Sequence, residues 1–138
     1  MTDARAVIES ALNALVSQDV RQHMLWVDDD IRVEPLPSAP LLAGKLRYLE
    51  MVSLLLLPGA GARVTGYEIT HVGAPGQDIQ WIRVTLRIEV AKDGRLFPPE
   101  PVEYIDQESD TWYGVRKDRV TQIKSQSKAR ILQWSSED

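Results

Sequence analysis

Residues 28–44, DDDIRVEPLPSAPLLAG, stand between a helical first third of the chain and a remainder that reads as strands. Ile31 and Val33 alternate with Arg32 and Glu34, the period of a half-buried strand. Pro35 biases Glu34 toward extended backbone, and Pro37 and Pro40 stiffen the segment after it. Glu34 is therefore a carboxylate at the end of a stiffened strand, between helices and sheet, where it could be held over a cavity. Its other reading is an exposed loop acid.

Before this stretch, Ala4, Val7, Ile8, Ala11, Leu12, Leu15 and Val16 fall at helical spacings and form the apolar stripe of an amphipathic helix. Ser17 and Gln18 interrupt it, and Asp19 suits the N-cap of a second short helix running to about Trp26. After the stretch, Gly44 to Leu57 reads as a third helix, stopped by the PGAG at 58–61.

From Arg63 onward the period is two, with turn signals at GAPGQD, KDG, PPEP and RKD. The strand from Ile79 to Val90 places Ile82, Val84, Leu86, Ile88 and Val90 on one face and Arg83, Thr85, Arg87 and Glu89 on the other. The apolar face must pack on the helices. Helices first and strands later predict an α+β domain, with a curved antiparallel sheet of about four to six strands wrapping the Ala4 to Val16 helix. Residues 1–134 form one domain on this reading, and 135–138 a disordered tail.

Composition limits what any site could be. The chain has 138 residues, 43% hydrophobic and 26% charged, enough for one globular domain with a core. It contains no cysteine, which excludes disulfides, thiolate nucleophiles and cysteine zinc sites and fits a reducing compartment. The densest apolar run, Met51 to Leu57, is broken by Ser53 and too short to span a membrane, and the N-terminus lacks a signal-peptide pattern, so a soluble cytoplasmic protein is expected. The net charge of −4 argues against general nucleic-acid affinity.

His23 and His71 lie far apart with no metal-ligand spacing, and the consecutive Asp28, Asp29 and Asp30 cannot all face one point, so they read as a solvated helix end. Arg116, Lys117, Arg119, Lys124, Lys128 and Arg130 concentrate positive charge near the C-terminus, read as a solvated hairpin or, alternatively, an anion site. No phosphate loop, Walker motif or GxSxG is present, so neither metal nor cofactor is expected.

The order of elements, with LVSQDVRQHMLWVDDDIRV, APLLAGKLRYLEM and GVRKDRVTQIKSQS as its second-helix, third-helix and closing-hairpin segments, resembles the nuclear transport factor 2-like (cystatin-like) superfamily of cone-shaped α+β folds. Within it, VEPLPSAP followed by a glycine is most similar to ketosteroid isomerase. That resemblance implies Glu34 as a general base moving a proton next to a carbonyl, in an isomerase or polyketide-cyclase-like (SnoaL-like) reaction. It also implies a protonated acid nine residues before the hairpin Arg119, which is Asp110. Tyr104, Ile105 and Asp106 match the same segment, so Asp106 stays open beside it. Both acids are even-numbered and would share a strand face with Trp112.

Trp26 stands where the family has a pocket tyrosine. Tyr67 and His71 sit at even spacing on one strand, and Ile123 lies on the closing hairpin. Trp26, Tyr67, His71, Trp112 and Ile123 are the expected ligand contacts. The family's oxyanion-donating tyrosine falls on Ala11 or close to it, and Val52 replaces another tyrosine, so steroid isomerisation in the strict sense is not implied.

Limonene epoxide hydrolase also resembles the chain, through Arg87 and Glu89. These lie opposite the apolar face of their strand, so an outward same-strand ion pair of under about 1 kcal/mol is expected instead. Ser125 stands where that family has its final acid. The expectations are a small apolar ligand, a homodimer, and no nucleic-acid or membrane partner. Catalysis by Glu34 stands against a non-catalytic binding or dimerisation module.

Overall fold

A computed structural model describes residues 3–34, 42–55, 62–93 and 99–125. The proline loop after Glu34, the PGAG stop, Lys128, Arg130 and the 135–138 tail lie outside the described residues. The elements are α1 (Ala4–Val16), α2 (Val20–Met24), β1 (Val27–Glu34), β2 (Leu42–Ala43), α3 (Lys45–Leu55), β3 (Ala62–Val72), β4 (Gln80–Ala91), β5 (Tyr104–Arg116) and β6 (Arg119–Ser125). The fold is α+β, with three helices and a six-stranded curved, unclosed sheet among the described residues. Among these residues no helix is long and apolar enough to cross a membrane.

Helix α1 starts where the Asp3 carboxylate accepts the Arg5 backbone N–H at 3.2 Å, satisfying a donor the helix itself leaves free. Its stripe of Val7, Ile8, Ala11, Leu12 and Leu15 is buried. Asp19 caps α2 as expected, accepting from the Gln22 N–H at 3.1 Å. Val7, Ile8 and Leu12 meet Ile31, Ile82 and Val84 in the core, all wholly buried. Each such side chain stabilises the fold by about 1.5–3 kcal/mol through the water it sheds.

The strand order is β2-β1-β6-β5-β4-β3. Every neighbouring pair is antiparallel except β1 with β6, which run parallel. A largely antiparallel sheet was expected, and this one pair is its exception. The parallel pair arises because the chain leaves β1 through α3, builds β3 to β5, and returns β6 into the slot beside β1. The same pairing moves the strand start back to Val27, whose neighbour Trp26 accepts the Val120 N–H at 2.7 Å. Asp28, Asp29 and Asp30 therefore lie in β1, not at a helix end. The register shifts between Val27 and Arg32, so the three aspartates fall in the irregular stretch of β1, with pairing to β6 on either side of them.

Directly paired residues share a sheet face, so register decides what points at the helices. Leu86 pairs with Ser109, Val84 with Thr111 and Ile82 with Tyr113, and all six are buried. These set the inner face. Thr85 pairs with Asp110, Arg83 with Trp112 and Glu89 with Asp106, which sets the outer face. Strand β3 carries two bulges, between Val64 and Gly66 and between Ile69 and His71. The second turns His71 to pair with Arg83 on the outer face, while Tyr67 and Ile69 pair with Leu86 and Val84 on the inner one.

Candidate functional site

Between the inner face of the sheet and the helices lies a partly open cavity of about 240 Å³. Val33 of β1, Val64 of β3, Leu86 of β4 and Ile123 of β6 supply apolar walls, and Leu15 of α1 with Met51 and Val52 of α3 close the helix side. The cavity follows from the sequence in a simple way. Strand alternation sends β-branched and leucine side chains inward, and α3 faces them with its i, i+3, i+4 set of Tyr48, Met51 and Val52.

Polar groups enter from two directions. On the sheet side Ser109, Thr111 and Tyr113 alternate along β5, and Ser125 of β6 lies beside them. The Ser109 hydroxyl lies 3.3 Å from that of Thr111 and 3.5 Å from that of Ser125. On the helix side Tyr48 is 3% exposed, and its hydroxyl lies 2.6 Å from Nε2 of His23, itself 2% exposed. Nδ1 of His23 lies 2.7 Å from the Ala11 carbonyl oxygen. A carbonyl can only accept, so Nδ1 carries the proton, Nε2 is the acceptor, and the Tyr48 hydroxyl donates to it. Three helices are joined through this chain of bonds.

Burial holds the neutral forms in place. It lowers the His23 pKa below 6.5, partly opposed by the bond to Ala11. Burial raises the Tyr48 phenol well above its usual range, and the nearby Tyr113 phenol adds to the rise. Tyr113 is raised by burial as well.

The residues expected to form the site divide sharply. Ile123 lines the cavity. Tyr67 faces inward, but its hydroxyl donates to Asn13 Oδ1 at 2.7 Å and so ties β3 to α1 instead of opening on the cavity. Trp26 packs half-buried against the core at the start of β1, apart from the cavity lining. Asp110, Asp106, Trp112 and His71 are on the outer face, so the expectation that one of the two acids shares an enclosed pocket with Trp112 is corrected. Asp110 forms an ion pair with Arg83 at 3.0 Å and accepts from the Thr85 hydroxyl at 3.3 Å, and His71 meets the Trp112 ring edge-on.

Glu34 is exposed and pairs with Lys124, one residue past Val33 and Ile123, whose pairing belongs to the inner face. Strand alternation turns it away from the cavity, and tryptophans do not enclose it as expected. Glu89 pairs across the strands with Arg63 at 3.0 Å, not along its own strand with Arg87.

The residues missed by sequence reasoning are Tyr48, Tyr113 and His23. Tyr113 had a signal in its alternation with Val115 and Thr111, which face the core with it. Tyr48 had one in its helical spacing to Met51 and Val52. The His23 to Tyr48 bond spans 25 residues and had none.

Comparisons with known proteins place this geometry. No protein-family model and no curated protein sequence matches the chain. Solved structures do match. A ketosteroid isomerase-like protein from Erwinia carotovora atroseptica superposes with a TM-score of 0.66 at 16% identity, over 88% of this chain and 90% of that one. A putative SnoaL-like polyketide cyclase from Shewanella putrefaciens gives 0.70 at 10% identity, over 100% and 99%. An LEH-like epoxide hydrolase from M. tuberculosis gives 0.63 at 18% identity, over 88% and 80%. The fold is that of the nuclear transport factor 2-like superfamily.

Proposed function

We propose that this chain, of nuclear transport factor 2-like fold, binds a small, largely apolar molecule in the cavity between its helices and the inner face of its sheet. The observation that carries the reading is the cavity itself, about 240 Å³ with walls from Leu15, Val33, Val64, Leu86 and Ile123. An apolar cavity of roughly 150 Å³ takes up benzene, so this one suits a molecule of about two fused rings. Ligand sites are commonly apolar clefts with a few placed polar groups, as here. The solved structures of like fold include proteins described as isomerase-like, cyclase and epoxide hydrolase, which supports an interior used for small molecules.

Among the described residues no carboxylate lines the cavity. The proposal is therefore one of binding, and proton transfer by Glu34 does not enter it.

Titration with tetralin, a two-ring hydrocarbon, followed by NMR tests the reading. Saturable shifts at the methyls of Val64, Leu86 and Ile123 are expected, and Val64→Phe, which fills the cavity, should remove them. Glu34→Gln should leave the affinity unchanged. Shifts spread over the outer face, or binding that survives Val64→Phe, would refute the cavity as the site.

A further inference from the structure

The two phenols in the cavity wall are not equivalent, and the difference is one of protons. Tyr48 has a single hydroxyl hydrogen, and His23 Nε2 takes it at 2.6 Å, because Nδ1 of the same ring is committed to the Ala11 carbonyl at 2.7 Å. Toward the cavity Tyr48 can only accept, through its remaining lone pair. No other described residue donates to it.

Tyr113 is the reverse case. Its side chain is 4% exposed and lines the cavity, yet its hydroxyl makes no hydrogen bond among the described residues. It is not walled in either. Among those residues Arg83 Nε stands alone as a fully enclosed side-chain nitrogen or oxygen without a partner. The Tyr113 hydroxyl is therefore not fully enclosed, and the residue that carries it borders the cavity. The neighbouring hydroxyls of Ser109, Thr111 and Ser125 are engaged with one another. The two phenols are also near enough that charge on Tyr113 would be felt at Tyr48.

We infer that the cavity, on the binding reading given above, selects a ligand that carries a hydroxyl group, an alcohol, phenol or enol, over the matching ketone or hydrocarbon. Tyr113 donates to the hydroxyl oxygen and Tyr48 accepts its hydrogen. A ketone satisfies Tyr113 and leaves Tyr48 without a donor. A hydrocarbon leaves both unmatched, and unmatched buried polar groups are where selectivity is strongest.

Three probes of one skeleton separate the possibilities: tetralin, alpha-tetralone and alpha-tetralol, each titrated by calorimetry or NMR against the intact chain. The alcohol is expected to bind about tenfold more tightly than the ketone, the ratio expected from one additional hydrogen bond. Tyr113→Phe removes a cavity-wall hydroxyl that has no hydrogen-bond partner among the described residues. It should weaken tetralol by about tenfold and leave tetralin within about twofold, a split that mere loss of structure would not produce. If tetralone binds as tightly as tetralol while tetralin also binds, the cavity reading stands and this inference is overturned. It is overturned equally if Tyr113→Phe weakens all three probes alike. If none of the three binds, the cavity reading falls and the inference with it.

Discussion

His23 is 2% exposed, yet both ring nitrogens are bonded, one to the Ala11 carbonyl and the other to the Tyr48 hydroxyl. The arrangement requires a neutral ring, since a protonated Nε2 has no lone pair with which to accept from Tyr48. Burial lowers the folded-state pKa below 6.5, so the unfolded chain binds the proton more readily. The stability contributed by the neutral ring is present above pH 6.5 and is lost as pH falls toward the folded-state value. Urea unfolding at pH 7.5 and pH 5.5 should show a lower midpoint at the acid value, and His23→Gln should flatten that dependence. Equal slopes in the two proteins would show that His23 does not carry it. Tyr48→Phe leaves buried Nε2 without its donor, and a cost of about 1–3 kcal/mol is expected in the same melts. None of this was legible from a histidine in a row of polar residues, because the partner lies on another helix.

At the scale of the element, β3 and β4 show where local pattern stops deciding. The alternation in β4 was readable, because Ile82, Val84 and Leu86 repeat at spacing two without interruption, and they are buried as that pattern requires. In β3 the same rule put His71 on the face of Tyr67 and Ile69. The bulge between Ile69 and His71 inserts one residue and inverts the faces beyond it. Gly73, just past β3, closes on β4 through its N–H to the Trp81 carbonyl at 2.7 Å. A Cβ there would sit 2.7 Å from that same backbone oxygen, which cannot swing aside. Gly73→Ala is expected to cost about 1–3 kcal/mol in denaturant melts. Gly66→Ala should be tolerated, since its Cβ would meet the Arg87 side chain at 3.7 Å, an ordinary contact. Equal effects of the two substitutions would mean that this close approach does not constrain the turn.

The whole molecule has two unlike sheet faces. The inner one is apolar and borders the cavity. The outer one mixes ion pairs with two half-buried tryptophans: Arg83 bridges to Asp110 and lies near the Trp112 ring, and Lys124 lies over Trp81. Gly114 opposite Trp81 carries no side chain, which leaves room for the indole to lie across β5. Aromatic and arginine side chains of this kind are enriched at protein interfaces, and Arg83 Nε is enclosed without a partner. A homodimer through the outer face is the expected assembly. Sedimentation at high micromolar concentration should find a dimer in the wild type and a monomer in Trp112→Glu. A wild-type monomer under those conditions would rule the dimer out.

What the sequence by itself determined is the set of elements and their class. The α1 stripe, the Asp19 cap and the uninterrupted alternation in β4 are local signals, because helix and strand periods are properties of a few consecutive residues. The order of those elements was enough to place helices on one side of a sheet. What the tertiary structure alone decided is which way single side chains point and whom they meet. Asp110 and Trp112 turn outward because β5 pairs with β4 in one register out of two, and sliding it by one residue would have turned them in. Glu34 turns outward because β6 returns parallel beside β1, a pairing between segments about 90 residues apart. The Tyr48, His23 and Ala11 chain joins three helices whose mutual placement no short stretch encodes. A cavity and its proton arrangement are sums over such long-range placements, so they become visible only once the chain has closed on itself.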